Sequence, residues 1–129
     1  MFISVCFGDL PPFQEAITFF KKMDKKNLDD KLAIIDNFFY QDLQSGNTII
    51  DAAILGKSND PENLLIIIKY LMDHGALHPN TENIEGKCAI LRATSHNLPN
   101  LLEYFHERNS DWLDVHYKGK NLALLALGI

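Results

Sequence analysis

The chain has 129 residues, with 12 basic and 17 acidic side chains and a formal net charge of −5 at neutral pH. Domains cluster near about 100 to 150 residues, so residues 1–129 are expected to form a single domain. Apolar residues make up 47% and charged residues 22%, which excludes a disordered or fibrous chain. Basic residues cluster only as Lys21-Lys22 and Lys25-Lys26. No nucleic acid is expected as a partner, because phosphate recognition needs a concentrated positive face.

The sequence also bears on compartment and redox state. Cys6 and Cys88 lie far apart, and neither belongs to a cluster with the spacing of zinc ligands. Two reduced thiols are therefore favoured over a disulfide. A secretory leader with a basic start is not recognised, and no apolar run approaches the ~20 residues of a spanning helix. We expect a cytoplasmic protein with no membrane partner. Specialised bacterial secretion signals would escape this reasoning, so a secreted effector acting in a host cytosol stays open.

The N-terminal segment, residues 1–40, is expected to form a pair of helices. Pro11 and Pro12 stand where a helix start tolerates proline, and apolar residues recur at i, i+3, i+4 and i+7 from Phe13 to Phe20. This amphipathic helix is expected to end around Lys25.

Asn27 can cap the second helix, in which Ile34 and Phe38 lie off the main apolar stripe. A helix that is apolar on two sides is expected to be sandwiched between layers. The stripe itself consists of Leu28, Leu32, Ile35 and Phe39.

Glycine and proline divide the rest of the chain into short helices without strand alternation, which predicts an all-α fold of helical hairpins. Gly75 is expected to end one of these helices in the left-handed conformation. The expected helices run from Thr48 to Leu55, Glu62 to Asp73, Ala89 to Ser95, Pro99 to about Phe105 and Leu122 to Leu127, with breaks at residues 57–61 and at Asn97.

Two landmarks, a glycine and an alanine, repeat along this helical region at shared intervals. The interval from Gly86 to Gly119 equals the interval from Ala93 to Ala126, at thirty-three positions. The preceding intervals, from Gly46 to Gly86 and from Ala53 to Ala93, are also equal and are longer by seven positions. These seven extra residues are expected at the break at residues 57–63, where a loop insertion costs little. A regular period of this length is typical of repeat architectures.

The segment from Gly46 to Ala53 reads Gly-Asn-Thr-Ile-Ile-Asp-Ala-Ala, and an apolar helix and Gly75-Ala76 follow it. This order resembles an ankyrin repeat, whose frame runs Gly-x-Thr-Pro-Leu-His-x-Ala-Ala, then an apolar helix, then Gly-Ala. Two further segments, Gly86–Ala93 and Gly119–Ala126, are similar to divergent copies. The chain departs from the family at the Thr-Pro-Leu-His box, which reads Thr48-Ile-Ile-Asp51 in the first copy.

The resemblance implies a solenoid of ankyrin-like repeats over residues 41–80, 81–113 and 114–129, the last one incomplete, with residues 1–40 as an N-terminal helical cap. A generic α-helical repeat or bundle remains the alternative. The apolar helix of residues 122–127 lacks an outer partner. It can pack under the second repeat, mediate self-association, or show that the chain is a fragment.

The candidate chemical sites are weak. Glu103-x-x-His106 has the spacing of a di-iron half-site, but no second such pair exists. His74 and His78 straddle Gly75, which excludes a helical metal site. Position 88 replaces the family threonine with a cysteine that is expected to be buried and inert. No catalytic motif is recognised. We expect no enzymatic activity, no metal site and no cofactor.

The ankyrin resemblance implies an adaptor or effector that binds a protein partner through its turns and the concave face of its inner helices. The turns would be residues 79–85 and 113–118, and Arg92 is the charged candidate on the concave face. The candidate partner-binding residues are Glu82, Asn83, Glu85, Arg92, His116, Tyr117 and Lys118.

The alternative is a small acidic helical inhibitor, such as an immunity or antitoxin protein, whose carboxylates block a basic active site. Five aspartates on one contiguous face would favour this inhibitor, whereas a concave face of mixed charge would favour the adaptor. They are Asp29, Asp30, Asp36, Asp42 and Asp51.

Overall fold

The structure is a computed structural model that describes residues 12–35, 38–76 and 78–108, together with two short strands. The helices are α1 (Phe13–Lys21), α2 (Leu28–Ala33), α3 (Ile49–Lys57), α4 (Pro61–Asp73), α5 (Ala89–Ser95) and α6 (Pro99–Arg108). The strands β1 (His116–Tyr117) and β2 (Lys120–Asn121) pair antiparallel, with His116 opposite Asn121. The prediction of an all-α fold is confirmed in that the described residues form six helices, and β1 and β2 are the only strands among them. None of their helices has the length and apolar character needed to cross a membrane.

The six helices lie in two layers. In one layer α1 packs on α3 and α3 packs on α5, and in the other α2 packs on α4 and α4 packs on α6. The layers are joined by contacts between α3 and α4 and between α5 and α6. The pair α3–α4 and the pair α5–α6 therefore bury apolar surface against each other as well as within each pair.

The buried apolar side chains of the described residues form one cluster, which includes Phe20, Tyr40 and Phe105. α1 and α3 approach each other closely at Gly56. A Cβ atom at this position would lie 2.5 Å from the carbonyl oxygen of Ile17 and 3.0 Å from the backbone nitrogen of Lys21. Only glycine therefore permits α1 to approach α3 this closely. Ala53 on α3 and Ala93 on α5 are also fully buried.

The first helix ends at Lys21, earlier than the expected end near Lys25. Polar side chains compete for the backbone beyond this point. The Asp24 carboxylate accepts bonds from the backbone N–H groups of Lys26 and Asn27, at 2.9 and 3.0 Å. The Asn27 side chain in turn accepts a bond from the Asp24 N–H at 2.8 Å. Such local bonds favour a turn over a further helical turn.

The second helix also differs from its prediction. Asn27 occupies the N-cap position but makes no side-chain cap bond, and the helix spans only six residues. Ile34 is 44% exposed and Phe39 is 66% exposed. The prediction of a helix sandwiched between layers is therefore wrong. A helix of this length presents one buried stripe, which Leu28 and Leu32 supply.

The seven extra residues of the first interval do not all lie at the break at residues 57–63, so that prediction is also wrong. α4 begins at Pro61, fifteen positions after Gly46, whereas α6 begins at Pro99, thirteen positions after Gly86. Only two of the extra residues therefore precede the second helix of the pair, and the other five follow its start. The interval from Gly46 to Gly86 is therefore longer partly because α3 and α4 are longer than α5 and α6.

The prediction for Gly75 is confirmed. Its φ is +91°, and the backbone N–H groups of Gly75 and Ala76 donate to the carbonyls of Met72 and Leu71. These bonds satisfy carbonyl groups that a helix end leaves without partners.

Candidate protein-interaction surface

A tight turn precedes α3, and we call residues 41–48 the first finger. Gln41 and Thr48 form an antiparallel bridge at its base. The Asp42 N–H donates to the Asn47 carbonyl at 2.8 Å, and the Gly46 N–H donates to the Asp42 carbonyl at 2.9 Å. At the tip, one oxygen of the Asp42 carboxylate, Oδ2, accepts bonds from the backbone N–H and the hydroxyl of Ser45, at 2.8 and 2.7 Å. The turn is therefore closed by both backbone and side-chain bonds.

A similar turn precedes α5, and we call residues 82–87 the second finger. The Asn83 N–H donates to the Lys87 carbonyl at 2.8 Å, and the Gly86 N–H donates to the Asn83 carbonyl at 3.0 Å. The Asn83 side-chain oxygen also accepts bonds from the N–H groups of Glu85 and Lys87. Asn83 therefore shapes this finger from within.

The two fingers contact each other directly. The Ile84 N–H donates to the Ser45 carbonyl at 2.9 Å. A Cβ atom at Gly46 would lie 3.2 Å from both the Asn83 Cα and the Ile84 nitrogen, so the two backbones are in close contact. The fingertips consequently lie side by side.

A polar network below the fingertips links the two fingers to α3 and α5. The side-chain oxygen of Asn47 accepts bonds from Asn83 Nδ2 and Arg92 Nη2, both at 2.8 Å. Arg92 Nε donates to Asp51 Oδ1 at 2.9 Å. We call Asn47, Asp51, Asn83 and Arg92 the finger network. Its members come from both fingers and both helices, so it fixes the first finger and α3 relative to the second finger and α5.

Asp51 is the most deeply buried member of the network, with 1% of its surface exposed. Burial raises the pKa of its carboxyl, and the backbone N–H of Thr48 and the guanidinium of Arg92 oppose that increase. The Thr48 N–H donates to Asp51 Oδ2 at 2.8 Å. The two carboxylate oxygens thus have separate partners, Thr48 at the start of α3 and Arg92 on α5. A buried charge is tolerated when it is paired in this way.

The fingertips and the start of α1 border an open cleft of about 580 Å³. Two of its apolar side chains are unusually exposed, because Leu43 is 84% and Ile84 is 76% accessible to solvent. The lining residues are Pro12, Phe13, Gln14, Asp42, Leu43, Gln44, Ser45 and Ile84.

Asp42 lines this cleft, and Glu15, Glu82 and Glu85 lie within two positions of lining residues in the chain. Burial raises the pKa of the Tyr40 phenol, and the charges of Asp42 and Glu15 raise it further. The negative charges that act on Tyr40 thus come from the first finger and from α1. Glu82 and Glu85 are exposed on the second finger, on either side of Asn83 and Ile84.

The structure brings four of the predicted partner-binding residues together at the second finger and its base. Glu82 and Glu85 are exposed there, as a binding role requires. Asn83 is only 8% exposed, and the Arg92 side chain is 17% exposed. The polar bonds of Asn83 and Arg92 are to the protein itself, which gives both a structural role. Partner binding by these four residues stays a prediction.

The other predicted residues lie at the end of the described chain. His116 and Tyr117 form β1, and their side chains are outside the description. Lys118 and the apolar helix expected at residues 122–127 also lie outside the described residues. Their predicted roles in binding and self-association therefore stay predictions.

Sequence reasoning missed the first finger and its exposed Leu43. A signal was present, because the interval from Gly46 to Gly86 places residues 41–46 in register with residues 81–86. The same frame that located the second finger thus locates the first. The exposure of Leu43 could not be read from it, since an isolated leucine in a turn is equally compatible with burial.

The candidate chemical sites were also located. Across the described segments, no group of three or more His, Cys, Asp and Glu side chains is arranged to hold a metal ion. His74 stacks on Tyr70 with ring centroids 4.0 Å apart, and its Nδ1 lies 2.8 Å from the Tyr70 carbonyl oxygen. Cys88 is buried, and burial raises the pKa of its thiol. A raised pKa favours the neutral, less nucleophilic form. Cys6 lies outside the described residues.

Comparison with known proteins found no matching family model, curated protein or solved structure. The ankyrin resemblance therefore rests on the Gly/Ala frame of the sequence alone.

Proposed function

We propose that this chain is a non-enzymatic protein-interaction module of the ankyrin type, an adaptor or effector that binds a protein partner through its fingers. The observation that carries the proposal is the cleft at the two fingertips, where Leu43 and Ile84 are exposed side by side on a tightly bonded framework. Exposed apolar surface rimmed by polar residues is typical of protein-binding sites.

The order of elements supports the repeat interpretation. A finger with a glycine at positive φ precedes α3 and α5, and each of these helices is followed by a helix of the opposite layer. β1 and β2 add a third antiparallel turn in the region of the third copy. One finger and two helices per unit is the arrangement that the resemblance implies for residues 41–129.

The rigidity of the fingers supports binding as the activity. Asp42, Asn83 and the finger network close both turns by hydrogen bonds before any partner arrives. A surface that is already ordered loses little conformational entropy on binding. Arg92, the charged candidate on the concave face, donates a hydrogen bond to Asp51 on α3. The proposed surface therefore includes the fingertips and not only the concave helix face.

One observation weakens the acidic-inhibitor alternative. Asp51 is buried and ion-paired, so it does not contribute to an acidic face. Asp29 and Asp30 are exposed in the first turn of α2 and keep that alternative testable. Asp36 lies outside the described residues.

The test is affinity capture from a native lysate with quantitative mass spectrometry. The bait is the full chain, compared with a Leu43→Ser and Ile84→Ser double variant. Ile66→Ser is the matched control, because Ile66 is 49% exposed on α4 and does not line the cleft. The module predicts partners that the double variant loses by about tenfold or more and the control retains.

Two other outcomes would count against the proposal. Partners retained by the fingertip variant but lost on Asp29→Lys with Asp30→Lys would transfer the function to α2 and favour the inhibitor. Turnover of a captured molecule by the purified chain would contradict the non-enzymatic assignment.

A further inference from the structure

The cleft at the fingertips also specifies the chemistry of its occupant, an inference that rests on the proposed function. We propose that it binds a cationic, amphipathic peptide segment of the partner protein. Apolar side chains of that segment would contact Leu43 and Ile84. Its lysines or arginines would face the carboxylates of Glu15, Asp42, Glu82 and Glu85.

The apolar part of the proposal follows from the two fingertips. Leu43 and Ile84 are the two most exposed large apolar side chains among the described residues, at 84% and 76%. Both line the same cleft, and the bond from the Ile84 N–H to the Ser45 carbonyl holds their fingers together. Covering apolar surface gains about 25 cal/mol per Å², so an apolar side chain seated between the tips is favoured over water.

The size of the cleft favours a segment over a folded surface. Its volume of about 580 Å³ lies within the range of roughly 300–1,000 Å³ that is typical of pockets for compact ligands. It can accept a few side chains from an extended or helical segment.

The charged part of the proposal follows from the balance of charge at the rim. Asp42 lines the cleft, and Glu15 follows the lining residue Gln14 in the chain. Glu82 and Glu85 are exposed on the second finger. Of the nearby cations, the Arg92 side chain is neutralised by Asp51 at 2.9 Å, and Lys87 is the remaining one on the second finger.

This excess of carboxylates disfavours an acidic occupant, because like charges at an interface cost several kcal/mol. Opposite charges increase the association rate and make affinity sensitive to salt. An apolar segment flanked by lysine or arginine therefore satisfies both parts of the cleft.

The test selects ligands from a library of random short peptides displayed on phage, with the immobilised full chain as target. Enriched peptides are then synthesised and their affinities measured by fluorescence anisotropy at low and high salt. We expect sequences that combine large apolar residues with lysine or arginine, and weaker binding at high salt.

Variants of the full chain locate the binding site. We expect the affinity to fall by about tenfold or more, which corresponds to about 1.4 kcal/mol, on Leu43→Ser with Ile84→Ser. The same fall is expected on Glu82→Lys with Glu85→Lys. Ile66→Ser should change the affinity by less than about twofold. All four substituted fingertip residues are exposed, so thermal unfolding should show that these variants remain folded.

Three results would overturn this inference but leave the proposed function in place. Acidic or uncharged peptides that still require Leu43 and Ile84 would refute the cationic chemistry. A dimer of the chain that Leu43→Ser abolishes would make a second copy the occupant. Tighter peptide binding by a Phe2→Ser, Ile3→Ser, Val5→Ser variant would assign the cleft to the chain's own first residues.

Peptides that bind equally well to the fingertip variants would contradict both the inference and the proposed use of the fingers. An absence of enrichment would overturn only the inference of a linear segment, because the capture experiment tests the fingers separately.

Discussion

The starts of α3 and α5 are equivalent in the chain but are stabilised differently. At α3, the Thr48 side chain accepts a bond from the Asp51 N–H, and the Asp51 carboxylate accepts one from the Thr48 N–H, which is a capping box. At α5, Cys88 occupies the equivalent position and makes no side-chain cap bond. Leu91 stands where the first unit has Asp51, so no capping box can form at the start of α5.

The second unit obtains its polar anchor from the first. Arg92 is in register with Ala52, and its guanidinium bonds to Asp51 and Asn47. Asn83 of the second finger also bonds to Asn47. The second unit therefore depends on its neighbour for hydrogen bonds as well as for apolar burial. The relative position of the two fingertips depends on the same bonds.

The largest expected effect comes from Asp51→Leu, which gives the first unit the residue of the second. The substitution removes the capping box and leaves Arg92 without its counter-ion. Breaking a buried ion pair by removing one partner costs about 3–5 kcal/mol. Denaturant-induced unfolding should show a loss of this size in the free energy of unfolding.

A double-mutant cycle tests the coupling between the units. Arg92→Leu together with Asp51→Leu should cost less than the sum of the two single substitutions, because the double variant contains no unpaired charge. Strictly additive losses would mean that Asp51 and Arg92 act independently and that the second unit does not depend on this bond.

The next effect compares the two finger glycines. Gly46 and Gly86 have φ values of +77° and +78°, and an alanine in this conformation costs about 1–2 kcal/mol. At Gly86 a Cβ atom would meet no atom of the described residues within 4 Å, whereas at Gly46 it would lie 3.2 Å from the backbone of the second finger. Gly46→Ala should therefore destabilise more than Gly86→Ala in thermal unfolding.

The size of the difference between these variants reports on the finger contact. Equal losses would contradict the close approach of the first finger to the second. A larger loss of stability on Gly86→Ala than on Gly46→Ala would contradict the expected order of the two substitutions.

The sequence predicts the elements of this fold better than their connections. Pro61 and Pro99 mark helix starts, and Gly75 marks a helix end, because each has a local backbone requirement that is independent of the rest of the chain. Periodicity placed Phe39 on the apolar stripe of the second helix, but α2 ends at Ala33 and Phe39 is 66% exposed. A helical stripe predicts burial only where the helix continues, and periodicity does not locate the end of the helix.

The candidate site shows the same division. The finger glycines could be located from their spacing, and Thr48-x-x-Asp51 has the spacing of a capping box that the sequence reasoning did not use. The bond between Arg92 and Asp51 joins residues far apart in the chain and has no local signal. The cleft could not be predicted either, since it requires the start of α1 to meet the first finger.

The smallest expected effect comes from Cys88→Thr, which gives the second unit the capping residue of the first. A threonine N-cap contributes about 0.5–2 kcal/mol, but Leu91 cannot complete a capping box, so we expect a gain near the lower end of that range. Cys88→Val is the matched control, because valine has the shape of threonine without its hydroxyl. If the threonine variant is no more stable in thermal unfolding than the valine variant, a side-chain cap does not stabilise the start of α5. The difference between the two helix starts would then lie in Asp51 and Arg92 alone.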